Sequence, residues 1–151
     1  ERFAKICLRS CLSNLSVQFR TSKDEGPKLI VGSMTSEQEN LDTLMHIIVA
    51  QNIGWDVTYV GGNIPHDELI HIANKISARA MVLAFNNSRD ISRKAHEIKV
   101  IKNESEQRDN VVLIGSEAHN FRQLADDVKA IISNDLSSFR LTMERLYGLI
   151  R

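Results

Sequence analysis

The stretch Ser36–Leu69, SEQENLDTLMHIIVAQNIGWDVTYVGGNIPHDEL, decides the fold of this 151-residue chain. Its first half, Glu37–Asn52, is typical of a helix, and Asp56–Val60 is typical of a short strand. A Gly-Gly turn follows, with Pro65 expected at the first position of the next helix. The stretch therefore predicts helix, strand and helix in succession, as in the repeating units of α/β proteins.

Short β-rich runs and longer helical runs alternate through the rest of the chain. The predicted strands are Lys28–Val31, Asp56–Val60, Ala80–Phe85, Val111–Ile114 and Ala130–Ile132. The predicted helices are Glu37–Asn52, Pro65–Ile76, Ser88–Asn103, Phe121–Asp127 and Leu136–Ile150. Such alternation implies right-handed crossovers and a parallel sheet covered on both faces. The predicted fold class is α/β: a flavodoxin-like, doubly wound, five-stranded parallel sheet preceded by an N-terminal helix.

The residues before the sheet are predicted to form a separate unit. Arg2–Phe19 has the apolar spacing of an amphipathic helix, and the polar stretch Thr21–Gly26, closed by Pro27, is typical of a linker. We therefore expect a helix and linker over residues 1–26 and an α/β domain over 27–151. A start at Glu1 rather than Met suggests a piece of a longer protein.

Composition narrows the functional classes. Nineteen basic and nineteen acidic side chains cancel, so no net field attracts nucleic acid or an anionic membrane. No signal-peptide pattern or membrane-spanning run is present in the sequence, and a cytoplasmic protein is expected. Cys7 and Cys11, four residues apart, are expected to be buried thiols, with a redox or metal pair as the less favoured alternative.

Ligands of such sheets bind beyond the carboxyl ends of the strands. The loops at that edge are Gly32–Ser36, Gly61–Ile64, Phe85–Asn87 and Gly115–Asn120. In the first of them Ser36 and Glu39 have the spacing of a capping box, which gives Glu39 a structural role, and a ligand or proton-handling role is the alternative. Glu37, Glu39 and Asp42 would make this loop acidic, which argues against a phosphate site.

The histidines are dispersed. His46 lies inside the apolar run LMHIIVA, where a hydrogen-bonded or surface-facing residue is expected more often than a ligand. His66 and His71 are five residues apart, a spacing that does not place two imidazoles on one helix face. His119 lies in a ligand-side loop and is the histidine that best suits a site.

A receiver domain and an enzyme are two other functions that an α/β fold of this kind could serve. A receiver domain would need an acidic phosphoacceptor at the end of the third strand, where Ala84 and Phe85 stand instead. An α/β enzyme would need a convergent catalytic set, and the ligand-side loops assemble no Ser/His/Asp or Cys/His arrangement. The sequence therefore favours a protein that is not an enzyme.

From about Lys28 to Ile150 the chain resembles the cobalamin-binding domain family, best over Leu44–Phe85. In that family a strand ends in DxHxxG or ExHxxG, and a helix, a Gly-Trp/Val strand and a Gly-x-Asx-x-Pro turn follow. The resemblance implies that the turn lies beside the lower face of the corrin ring.

Three ligand-side positions depart from the family pattern. The cobalt-binding His is replaced by Glu39, the Ser that usually follows the third strand by Ala84, and the Gly-Gly pair after the fourth strand by Gly115-Ser116. A carboxylate is a hard donor that suits the imidazole role poorly, and the family's nucleotide tail would lose a hydroxyl and meet a narrower channel.

The resulting hypothesis is a non-enzymatic regulatory or sensory module of a larger signalling or transcription-control protein, with cofactor binding altered or lost. The alternative is a corrinoid carrier or corrinoid-enzyme domain that binds without the histidine. No cofactor is expected, with cobalamin or haem as the groups to test, and the expected partner is another regulatory domain or protein, including a second copy. The candidate ligand-side positions are Ser33, Glu37, Glu39, Asp42, Gly62, Asn63, Ala84, Asn86, Gly115, Ser116 and His119.

Overall fold

The computed structural model describes residues 26–34, 41–85, 88–105, 110–115, 126, 130–133 and 135–148. The strands and helices in chain order are β1 (Lys28–Ser33), α1 (Leu41–Ile53), β2 (Asp56–Gly62), α2 (His66–Lys75), β3 (Ala80–Phe85), α3 (Ser88–Glu104), β4 (Val111–Gly115), β5 (Ile131–Ser133) and α4 (Leu136–Tyr147). None of these helices combines the length and apolar character needed to cross a membrane.

The five strands form one parallel sheet in the order β2-β1-β3-β4-β5. Leu29 of β1 pairs with Val57 on one side and with Ala80 on the other, so β1 lies between its two successors. The strand order thus reverses between β1 and β3, which is the switch point of a flavodoxin-like sheet. The predicted fold class is confirmed for the sheet and its flanking helices.

Each face of the sheet has its own hydrophobic core, because successive strand residues point to opposite faces. On one face Ile30, Met81 and Leu83 pack under α2 and α3, with residues such as Leu69 and Ile98. On the other face the core lies under α1 and α4. It contains Leu29, Val31, Ile47, Ala50, Trp55, Val57, Ala80, Val82, Ala84, Val112, Ile114, Phe139 and Met143.

Several predicted boundaries were wrong by a few residues. β1 and β2 run on through Ser33 and Gly62, and the last strand is Ile131–Ser133 rather than Ala130–Ile132. Pro65 is the cap of α2 and not its first helical residue, because its ψ of 143° is extended. α4 ends at Tyr147, since Gly148 takes a φ of 97° and closes the helix.

Two predicted helices cannot be compared in this way. Arg2–Phe19 lies outside the described residues, and of Phe121–Asp127 only Asp126 is described. The predicted division into residues 1–26 and 27–151 therefore stays a prediction.

Candidate functional site

The carboxyl ends of β1, β2 and β3 are joined by backbone hydrogen bonds. Ser33 pairs with Ala84 across the switch point, and the next amide, that of Met34, donates to the Ala84 carbonyl at 3.0 Å. On the other side of β1, the Asn63 amide donates to the Ser33 carbonyl at 2.9 Å. Three of the predicted site residues, Ser33, Asn63 and Ala84, thus belong to one bonded edge.

Residues 61–63 end β2 and start the turn that follows it, and two of them are exposed. Gly61 and Asn63 have φ values of 89° and 53°, and a Cβ placed on Gly61 would meet no atom within 4 Å. Glycine is therefore required at position 61 by the backbone conformation and not by a close neighbour. Gly62 and Asn63 are both exposed, so this turn is open to a ligand or to a partner.

The space between α1 and α4 that holds the rings of His46 and Phe139 is termed the α1/α4 crevice. The chain's own side chains fill it. The ring of His46 from α1 meets the ring of Phe139 from α4 edge to face, with 4.7 Å between centroids. His46 is 4% exposed and Phe139 1%, while Ala84 and Ile114 in the same cluster are equally buried. Among the described residues, the two rings therefore occupy the space where α1 and α4 meet.

His46 is held in place by its own helix. Its Nδ1 lies 2.6 Å from the Asp42 carbonyl oxygen and 3.7 Å from the Asp42 carboxylate oxygen Oδ1. Because a carbonyl oxygen only accepts, the Nδ1 atom carries the proton in this contact. The structure places His46 as a buried, hydrogen-bonded helix residue, one of the two positions expected from sequence.

The crevice has a polar margin where β5 meets α4. Ser133 Oγ lies 2.9 Å from Ser138 Oγ, and Ser133 is 1% exposed. The Ser138 amide donates to Asp135 Oδ1 at 2.7 Å, and Ser138 Oγ accepts from the Asp135 amide at 3.4 Å, which forms a capping box. This margin fixes the start of α4 and thereby the position of Phe139 one residue further on.

The other predicted site residues divide into two sets. Asp42 lies in the first turn of α1, close to His46, and Gly115 ends β4 opposite Phe85. The remaining predicted positions, and the predicted capping box of Ser36, fall outside the described residues: Glu37, Glu39, Asn86, Ser116 and His119.

Sequence reasoning missed Phe139 and Ser133 as crevice residues. Both come from the C-terminal third of the chain, and Phe139 is 93 positions from the histidine that it contacts. The only local signal was a single histidine in an apolar helix with an aspartate four residues before it. Nothing in the sequence indicated which ring would cover that histidine.

A second concave region lies away from the crevice, on the exposed side of α2. A surface groove of about 430 Å³ is lined by residues that include Asp67, Glu68, His71 and Ile72. Nearby, His66 Nδ1 is 3.9 Å from Glu97 Oε1 of α3. Among the described residues, no group of three or more His, Cys, Asp or Glu side chains is placed to hold a metal ion.

The strand order and the flanking helices define a flavodoxin-like domain. The carboxyl ends of β1, β3 and their neighbours form the edge at which domains of this fold bind ligands. No protein-family model matches the chain, and no curated protein sequence matches it. Matches are found among solved structures, and two of them are a cobalamin-binding protein and a corrinoid protein.

The first is the crystal structure of a novel cobalamin-binding protein from Desulfitobacterium hafniense DCB-2. It aligns with a TM-score of 0.68 and 12% identity, over 91% of this chain and 71% of that one. The second is the Methanosarcina barkeri monomethylamine corrinoid protein, with a TM-score of 0.64 and 12% identity over 87% of this chain. This chain spans 63% of that protein's length. The domain therefore has a cobalamin-binding-like fold.

Proposed function

We propose that this domain is a non-enzymatic regulatory or sensory module of a larger protein, in which corrinoid binding of the family type has been lost. The observation that carries the proposal is the His46–Phe139 contact across the α1/α4 crevice. The binding mode implied by the family resemblance needs an open channel beside the ends of the third and fourth strands. In this chain Ala84 and Ile114 at those ends are buried in the same cluster as Phe139.

The packing of the described residues supports the loss of that binding mode. Buried side chains pack at close to crystal density, so a nucleotide tail at this place would compete with the His46 and Phe139 rings for space. Moving Phe139 out of the core would expose a large apolar side chain, at a cost of about 1.5–3 kcal/mol before any ligand contact is made. The carboxylate of Glu39, at the position of the family's histidine, is also a poor match for its role.

The regulatory part of the proposal is supported by exposed surfaces of the domain. The exposed turn at Gly62 and Asn63 and the groove on α2 are surfaces at which another domain can dock. The sequence adds an amphipathic segment, Arg2–Phe19, which suits a connector to a neighbouring domain. A scaffold whose α1/α4 crevice is filled fits a role in contacts between domains better than a role in carrying a cofactor.

The second candidate is a corrinoid carrier that binds without the histidine. The likeness in fold to the Methanosarcina barkeri monomethylamine corrinoid protein favours it. Such a carrier would have to open the α1/α4 crevice or to hold the corrin ring entirely outside it.

The deciding experiment is a retention test. The chain is mixed with an excess of hydroxocobalamin or adenosylcobalamin and desalted, and the visible spectrum of the protein fraction is recorded; haemin is tested in the same way. We expect a colourless protein fraction in each case. A coloured complex of one corrinoid per chain would overturn the proposal in favour of the carrier.

Two variants sharpen the retention test. Phe139→Ala removes the ring that fills the crevice, whereas Leu141→Ala changes a residue on the same helix that is 55% exposed. If the filled crevice is what excludes the corrinoid, any retention will appear in Phe139→Ala and not in Leu141→Ala. Retention that is equal in both variants and the unchanged chain would place the corrinoid outside the crevice and contradict the proposal.

A further inference from the structure

The C-terminal ends of α1 and α4 meet at Gly54, at the opposite edge of the sheet from the crevice. The Gly54 amide donates to the Gln51 carbonyl and the Trp55 amide to the Ala50 carbonyl, both at 3.1 Å, and this Schellman pattern ends α1. Gly54 has a φ of 126°, a conformation that side chains rarely adopt. A Cβ on this residue would lie 3.0 Å from the Tyr147 hydroxyl oxygen, so the last residue of α4 packs directly on the Gly54 backbone.

The chain enters the domain at the same place. A Cβ on Gly26 would overlap the Gly54 carbonyl oxygen, and the next residue, Pro27, accepts a hydrogen bond from the Asp56 amide at 2.9 Å. Gly54 is therefore in contact with the entering chain and with the end of α4.

Trp55 contacts the C-terminal end of α4 at the same edge of the sheet as Gly54. Its indole Nε1 donates to the Met143 carbonyl at 3.2 Å, and its ring meets the Tyr147 ring edge to face with 5.8 Å between centroids. Arg79 Nη1 donates to the Tyr147 carbonyl at 3.3 Å. Trp55 is 3% exposed and is the only tryptophan of the chain, so it reports on the position of α4 without labelling.

The same helix reaches the crevice at its other end. Phe139 and Tyr147 are eight residues apart, which is about 12 Å along a helix. Both ends of α4 are capped, by the Asp135 capping box and by Gly148, whose amide donates to the Glu144 and Arg145 carbonyls at 3.1 Å. A short, capped helix moves as one body more readily than it bends.

We infer that α4 couples the α1/α4 crevice to the entry of the chain, so that a change at Phe139 reaches Gly26 and Pro27 through Trp55, Tyr147 and Gly54. The inference rests on the proposed function, for which it supplies the internal route of regulation. The contacts that support the coupling are those of Phe139 near one end of α4 and of Tyr147 at the other. The coupling works equally in both directions, as coupling between two sites must.

The test uses Phe139→Leu, which removes the ring contact with His46 but keeps most of the volume, so the chain is expected to fold. Two signals are measured on the whole chain without any cofactor: the emission and acrylamide quenching of Trp55, and the hydrogen exchange of the Asp56 amide. We expect Trp55 emission to shift and Asp56 exchange to rise about two- to tenfold, the range set by the loss of one ring pair.

Two control variants separate coupling from general loss of stability. Leu141→Ala changes the exposed side of α4, and Ile98→Val trims a buried residue under the opposite face of the sheet. Leu141→Ala is expected to alter neither signal. Ile98→Val lowers the free energy of unfolding by about 0.5–1.5 kcal/mol, so it raises Asp56 exchange through global unfolding but leaves Trp55 emission unchanged. The inference is overturned if Phe139→Leu leaves Asp56 exchange unchanged, or if Ile98→Val alters both signals to the same extent.

A reverse experiment completes the test. Gly54→Ala displaces Tyr147 at the lower end of α4, and the imidazole NMR signals of His46 should then shift. Signals of His46 that stay fixed while those of Tyr147 move would contradict the coupling. Because these experiments contain no corrinoid, their failure is distinct from failure of the proposed function, which the retention test decides.

Discussion

The contact between His46 and Phe139 makes a quantitative prediction about stability. Phe139 is 1% exposed, and replacing such a buried phenylalanine by alanine costs about 3–5 kcal/mol through lost transfer energy and the cavity left behind. His46→Ala removes the hydrogen bond from His46 to the Asp42 carbonyl, which contributes about 0.5–1.5 kcal/mol. It also removes the ring contact with Phe139. An edge-to-face ring pair contributes roughly 0.5–1.5 kcal/mol beyond the effect of the area that it buries. The double variant should therefore lose less stability than the sum of the two single variants.

The assay is a double-mutant cycle by urea unfolding, followed by far-UV circular dichroism so that local changes around Trp55 do not bias the result. We expect a coupling energy of about 0.5–1.5 kcal/mol between positions 46 and 139. The control cycle pairs Phe139→Ala with Ile98→Val, under the opposite face of the sheet, and should be additive within about 0.5 kcal/mol. Phe139→Leu replaces Phe139→Ala if the latter is too unstable to measure.

Either of two results would contradict the predicted packing of His46 against Phe139. The first is that the losses in unfolding free energy at positions 46 and 139 add as completely as they do in the control cycle. The second is a cost for Phe139→Ala below about 1 kcal/mol, which would mean that the ring does not lie in the core.

Two further predictions concern single substitutions, each checked by urea unfolding. Gly61→Ala should cost about 1–3 kcal/mol from backbone strain alone, whereas Gly54→Ala should cost more because its methyl group also meets Tyr147; equal costs would contradict the packing at Gly54. Asp135→Ala should cost about 1 kcal/mol through loss of the α4 cap, while Arg140→Ala, which removes an exposed ion pair with Glu144, should cost no more than about 0.5 kcal/mol. The reverse order of these two costs would count against the capping box.

The fold was predictable because its central strand is apolar on both faces. The residues of β3, AMVLAF, form a continuous hydrophobic run, and every one of them is buried. Such runs are typical of a parallel sheet covered on two sides. The alternation of strands and helices then leaves few ways to connect them, which is why the class could be predicted without the boundaries.

The boundaries failed where tertiary structure outweighs local preference. Gly32, Ser33, Gly61 and Gly62 are poor strand residues, yet they extend β1 and β2 because the neighbouring strand supplies hydrogen bonds and packing. Leu149 and Ile150 continue the apolar pattern of α4, so the pattern predicted a helix past Gly148, the residue that caps its end. The start of α2 was predicted one residue too early, at Pro65, since a proline suits both the cap and the first turn of a helix.

The candidate site was predictable only as an edge of the sheet. The sequence indicated the loops at the carboxyl ends of the strands, and the structure joins three of the named residues there, Ser33, Asn63 and Ala84. It could not indicate that His46 would meet Phe139, because that contact depends on how α1 and α4 pack on the finished sheet.

The most direct test of the central claim is an NMR measurement of the ring contact in the presence of a corrinoid. Cross-relaxation between the His46 and Phe139 ring protons is recorded for the chain alone and with excess hydroxocobalamin. The filled crevice predicts the same cross-peaks, with unchanged intensity, in both samples. Cross-peaks that are missing from the chain alone, or that disappear when hydroxocobalamin is added, would contradict it.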